Sequence, residues 1–150
     1  MNHSLAGSIR LALAGILVVG VTIAHAAEYV GSVNKIVDGD TFWLCDATVC
    51  NKIRLCGVNA PERSEPGYRQ SGDALKALVW GKAVRCLQVG AGTPCDGRSK
   101  QTSGDRIVAQ CFADGLDIAA ALVGQGIACD WQKFSAGHYS QGGNGAKCPK

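Results

Sequence analysis

The chain has 150 residues, eight cysteines and a formal charge of +3. That length holds one ordinary domain with its own core and excludes two comfortable ones. The charge is too small to argue for a nucleic-acid partner by its sum, because such footprints depend on how charge clusters.

Arg10 precedes an uncharged apolar run from Leu11 to Ile23, followed by the small-residue triplet Ala24-His25-Ala26. This is the order of a secretory signal, and the run falls short of the roughly 20 residues that a membrane-spanning helix needs. Residues 1–26 are therefore expected to be a signal peptide cleaved after Ala26. The product is expected to be secreted or periplasmic, monomeric and without stable membrane association, with a charge of +2 once Arg10 is removed. All eight cysteines lie in the mature part, and an even number in a small exported domain implies disulfides. There is no CxxC pair and His138 is the only mature histidine, which argues against a structural zinc site. Local geometry favours one cysteine pair, Cys45 with Cys50, which flank a short turn and would face each other across a hairpin.

Tyr29 to Leu44 is apolar and β-branched, interrupted at Asp38-Gly39-Asp40; it reads as two strands joined by a tight turn. Lys52 to Val58 reads as a third strand. In it Ile53 and Leu55 alternate with Lys52 and Arg54, so one face packs and the other carries charge. The stretch from Ala60 to Gln70 is turn-rich, with Pro61, Pro66 and Gly67. Ala74, Leu75, Leu78 and Val79 then fall at helical spacing, with Ser71 as the expected cap and Gly81 as the stop. Ala83 to Val89 and Ile107 to Phe112 read as two further strands, separated by an exposed loop from Gly90 to Gly104. Asp117 caps a second helix, with Ile118, Ala121 and Leu122 on one face and Gly126 at its end. Phe134 to Lys150, rich in Gly, Ser and Gln, is expected to lack regular structure. Residues 27–132 thus form one domain, followed by a Gly-rich tail over residues 133–150. The element order suits a five-stranded OB-fold Greek-key barrel with a helix between strands 3 and 4 and a C-terminal helix.

Hydrolysis of a phosphodiester needs an attacking water, a base to orient or deprotonate it, and positive charge on the oxygens that gain charge. A metal often supplies part of that charge. The residue types for this chemistry are Asp38 and Asp40, Arg54, Glu62 after Pro61, and Arg106 at the start of the fifth strand. Each has a plain structural explanation when taken singly: turn propensity, a solvated strand face, a turn cap, or a surface ion pair with Asp105.

Taken in order, Ile36-Val37-Asp38-Gly39-Asp40-Thr41, Ile53-Arg54-Leu55 running into Val58-Asn59-Ala60-Pro61-Glu62, and Asp105-Arg106 through Ala109 to Ala113-Asp114-Gly115 resemble the staphylococcal nuclease family. Ala121-Leu122-Val123 with Gly126 completes the set, and the resemblance covers roughly residues 30 to 130. It implies that Arg54 and Arg106 bind the scissile phosphate and that Glu62 is the general base. It implies calcium as cofactor, with Asp40 as a direct ligand, Asp38 in the outer shell and Asn59 at the second ligand position. Guanidinium forks match phosphate oxygens and stay charged at any working pH. The expected substrate is single-stranded DNA or RNA.

The chain departs from that family at two points. Asn59 stands where the family places an aspartate, removing a negative charge and weakening calcium binding. Gly104-Asp105 stands where the family has Tyr-Gly, which sets an acid beside Arg106. Cys86 and Cys111 fall at similar points of the fourth and fifth strands, allowing a bridge or a packing contact. Cys95 lies in the loop, and a bridge from Cys148 to Cys129 would anchor the tail. Trp43 and Trp80 are expected in the core, Trp131 and Tyr139 in contact with substrate, and His138 exposed. The alternative function is an OB-type module that binds nucleic acid or oligosaccharide without cutting it. A further one is an accessory protein that keeps the fold only as scaffold.

Overall fold

In the computed structural model, which describes residues 27–143 and 145–149, strand β1 (Glu28–Ile36) turns through Asp38-Gly39-Asp40 into β2 (Thr41–Cys45). A short hairpin leads to β3 (Cys50–Leu55), then β4 (Val58–Asn59), helix α1 (Tyr68–Val79) and β5 (Ala83–Gln88). The chain continues through β6 (Thr102–Ser103), β7 (Arg106–Ala113), β8 (Leu116–Asp117), α2 (Ile118–Gly124), β9 (Cys129–Asp130) and α3 (Gln132–Ser135), and ends in a 3-10 helix over His138–Gly143. The signal-peptide reading falls on residues outside the described ones. Among the described residues, no helix is long and apolar enough to cross a membrane.

The main sheet runs β3-β2-β1-β5-β7 and closes on itself because β3 also pairs with β7. The four other pairings are antiparallel, while β3 and β7 run parallel, with Arg54 opposite Val108. This is the expected five-stranded OB-type barrel, with α1 between the third and fourth barrel strands and α2 after the fifth. Inward positions supply Phe42, Ile53, Leu55 and Val84, all fully buried. Leu75 and Val79 of α1, four apart and so on one helical face, cover one end of the barrel together with Ile118 and Leu122 of α2.

Helix α2 starts as expected, with Asp117 Oδ1 accepting the Ala120 amide at 3.1 Å, and Gly126 follows it in the left-handed region at φ 70°. Helix α1 begins four residues earlier than expected. Its N-cap is Gly67, and Ser71 lies inside the first turn, buried, donating to the Tyr68 carbonyl at 2.8 Å. Ser71 is placed there by close approach rather than by capping. Gly39 of the acidic turn packs directly on it, with no room for a Cβ, so the helix sits against the turn.

All eight cysteines are paired: Cys45–Cys50, Cys56–Cys95, Cys86–Cys111 and Cys129–Cys148. Two link directly opposed positions, Cys45 to Cys50 across β2–β3 and Cys86 to Cys111 across β5–β7. Disulfides of this kind form and persist in oxidising compartments.

Two segments read as loose are built in. In the loop from Gly90 to Gly104, Thr93 and Cys95 are buried, and Cys95 packs with Cys56, Val89 and Val108. Asp96 organises its turn by accepting from the Gly90 and Gly92 amides and the Thr93 hydroxyl at 2.6–2.7 Å. The C-terminal segment, expected to be irregular, carries α3 and the 3-10 helix and is fastened by the Cys129–Cys148 bridge. The Asp130 amide donates to the Ala146 carbonyl at 2.8 Å, and its buried carboxylate accepts from the Ser135 hydroxyl and, at 2.9 Å, from the Ser140 amide. A buried carboxylate satisfied in this way orders a Gly- and Ser-rich stretch that has little apolar surface of its own.

Candidate active site

A cleft of about 530 Å3 opens on the barrel wall, lined by Arg54, Asn59, Glu62 and Arg106 among others. Its position follows from the barrel closure. In the β3–β7 register Arg54 lies opposite Val108, and Arg106, two residues before Val108 on a strand of period two, projects on the same side. The parallel pairing therefore brings two guanidinium groups, 52 positions apart in the chain, to one hollow.

Arg54 does not sit on a solvated strand face. It is buried, and its guanidinium donates to the Leu55 carbonyl, to the Val58 carbonyl at 2.8 Å and to Asn59 Oδ1 at 3.5 Å. It also pairs with Asp40 Oδ2 at 3.1 Å. Burial pulls its pKa down, Asp40 pushes it back up, and the nearby Arg106 pulls it down again. A guanidinium stays charged under all these influences.

Asp40 is buried behind Arg54. Its carboxylate accepts from the Thr41 hydroxyl at 3.1 Å and the Ala60 amide at 2.9 Å. Burial raises its pKa to about 6, with Arg54 opposing the rise and Asp38 adding to it. Asp38 stands further out and accepts the Asp40 amide at 3.1 Å. Together Asp38, Asp40 and the Asn59 amide offer only oxygen donors, the chemistry of a hard divalent cation rather than of zinc. Among the described residues no three His, Cys, Asp or Glu side chains cluster, so a cation here would draw on amide, carbonyl and water oxygens as well.

Glu62 is exposed on the segment after Pro61. Its amide donates to Glu65 Oε2 at 2.7 Å, so Glu65 caps this turn while the Glu62 side chain lines the cleft. Arg106, the first residue of β7, donates to the Ser103 carbonyl at 3.2 Å and the Ser103 hydroxyl at 3.1 Å. The acid beside it, Asp105, pairs with Lys52 at 3.0 Å, and its pKa is lowered first by the Lys52 hydrogen bond, with Arg106 adding a smaller pull in the same direction.

The aromatic residues divide differently from the expectation. Trp131 is exposed at the cleft, packed edge-on against Phe134 with ring centres 4.7 Å apart. Tyr139 is buried among core residues and does not reach the cleft, because the docked C-terminal segment turns it inward. Trp80 is 48% exposed rather than in the core, covered by the Lys76 ammonium at 4.7 Å. His138 is exposed as expected. Sequence reasoning missed Arg98, Lys100 and Phe134, which also line the cleft. Cys95, three residues before Arg98, was the one sign that this loop is fastened to the barrel.

No family model matches the chain. Two proteins described as uncharacterized endonucleases are similar to it over 110 residues, one of Escherichia coli at 29% identity and one of Escherichia coli O157:H7 at 28%. Each alignment covers 73% of this chain and 65% of the relative, so the chain matches less than two thirds of their length.

Proposed function

We propose that the protein is an exported, metal-assisted nuclease of the staphylococcal nuclease type that hydrolyses phosphodiesters of single-stranded DNA or RNA. The observation that carries this reading is the meeting of Arg54, Arg106 and Glu62 in one cleft. In this mechanism Glu62, exposed and without a salt bridge among the described residues, takes a proton from the attacking water. Arg106 contacts the phosphate directly through the part of its fork left open by Ser103. Arg54, held rigidly by backbone carbonyls and Asp40, offers fixed positive charge that costs no reorganisation when the transition state forms. Calcium, when bound by Asp40 and Asn59 with Asp38 behind, supplies Lewis-acid charge on a phosphate oxygen. Asn59 in place of a carboxylate makes that binding weak.

The endonuclease descriptions of the two relatives support the same chemistry. The four disulfides support an exported location. Trp131 and Phe134 at the cleft suit stacking against a base.

The test is cleavage of labelled single-stranded DNA with calcium, repeated with chelator and with Glu62→Gln. The wild type is expected to cleave only with the metal, and Glu62→Gln to lose about 10²- to 10⁴-fold. Undiminished cleavage by Glu62→Gln removes that residue from the mechanism. Binding without product, indifferent to chelator, replaces the nuclease with a binding module.

A further inference from the structure

The cleft carries more positive charge than one phosphate needs. Arg98 and Lys100 line it from the loop between β5 and β6, beside Arg54 and Arg106. Both are exposed, and among the described residues neither has an ion-pair partner. Lys82 and Arg85, away from the cleft, are by contrast paired, with Asp114 and Glu28 respectively.

The loop that bears them is not a free surface tether. Cys95 is joined to Cys56, which follows Arg54 by two residues, and both cysteines are buried. Asp96 closes the turn just before Arg98 with three hydrogen bonds, and the Val108 amide donates to the Gln101 carbonyl at 3.0 Å. Two unpaired cations are thus held by a covalent bond and a hydrogen-bonded turn against the wall that presents Arg54. The cost of holding like charges together at one cleft is offset when an anion lies among them.

The geometry points to a second anion subsite made by Arg98 and Lys100, which takes the phosphate next to the scissile one and so selects a polynucleotide strand over an isolated nucleotide. The inference rests on the proposed nuclease reading for the nature of the ligand, and not on its catalytic assignments. The cleft volume of about 530 Å3 lies within the roughly 300–1,000 Å3 of small-ligand sites. It has room for one nucleotide unit, with neighbouring phosphates passing along the rim where this loop stands.

The experiment measures binding of a fluorescein-labelled oligodeoxynucleotide of about eight nucleotides, a length within the span of one OB barrel, across a salt series in calcium buffer. The protein carries Glu62→Gln to prevent cleavage. Each phosphate contact on a single strand contributes about 0.7 to the slope of log affinity against log salt, so Arg98→Gln with Lys100→Gln is expected to lower the slope by about 1.4. The charge-preserving pair Arg98→Lys with Lys100→Arg is expected to keep the wild-type slope, as is Lys82→Gln. A slope unchanged by the neutral pair overturns the subsite, and so does an equal loss in the charge-preserving pair. If Glu62→Gln still cleaves while the neutral pair loses slope, the base assignment fails and the subsite stands. If Glu62→Gln is inactive and the slope is unchanged, the subsite fails and the base assignment stands.

Discussion

The two cleft arginines differ in what surrounds them, and that difference separates stability from activity. Arg54 is buried against buried Asp40, so Arg54→Gln strands a carboxylate and is expected to cost about 3–5 kcal/mol, read as a shifted urea midpoint. Arg106 is half-buried and, among the described residues, its side chain bonds to Ser103 alone; Arg106→Gln is expected to cost less than about 1.5 kcal/mol while removing most cleavage of single-stranded DNA. Comparable destabilisation by both variants would contradict this division of roles. Asp40 adds a pH signature. Its native pKa of about 6 exceeds the roughly 3.9 of an unfolded aspartate, so between those values the native state holds more protons than the unfolded one. This group therefore makes stability fall as pH rises from about 4 to 6 and contributes no further change above that window. Urea unfolding in chelator is expected to give a shallower slope in that window for Asp40→Asn than for wild type. Residue types and their order were readable in the chain, since Asp-Gly-Asp, Arg54 and Pro61-Glu62 stand out by composition. The burial of Arg54 was not, because strand alternation alone reads a charged residue as outward-facing, and the carbonyls that solvate it belong to residues one and four positions later.

At the level of elements, the barrel strands and both helices were legible because their periods are regular and their stops are marked by glycine. The C-terminal segment was not, because it has no apolar period. What orders it is a disulfide, one buried carboxylate and strand β9 pairing with β4. Gly57, between β3 and β4, shows how tightly it docks. With φ at 72° and a would-be Cβ 2.9 Å from Ser135 Cβ and 3.0 Å from the Tyr139 ring, no other residue fits there without strain. This segment presents Trp131 and Phe134 to the cleft. Cys129→Ser with Cys148→Ser, which opens a link of sequence separation 19, is expected to lower stability by about 2–4 kcal/mol. In the folded protein it is expected to weaken oligonucleotide binding more than it lowers kcat. A pair of assays, equilibrium unfolding and steady-state kinetics, separates the two effects, and unchanged KM would remove the segment from substrate binding.

Across the whole molecule, a modest charge sum proved compatible with a cleft lined by four cations, Arg54, Arg98, Lys100 and Arg106, and one acid, Glu62. Sequence totals hide that arrangement, and only the closed barrel reveals it. Closure also decides when the cleft exists. The two arginines become neighbours through the parallel β3–β7 pairing, between strands far apart in the chain, and such non-local contacts form late and slowly. Activity is accordingly expected to return with the slowest phase when denatured, disulfide-intact protein is refolded, trailing the recovery of secondary structure followed by circular dichroism. Simultaneous recovery of both signals would refute that order. If the protein is the exported nuclease proposed, a chain still threading its way to its destination would be harmless to the nucleic acids it passes, because a cutting edge built from Arg54 and Arg106 is assembled only by the final seam of the barrel.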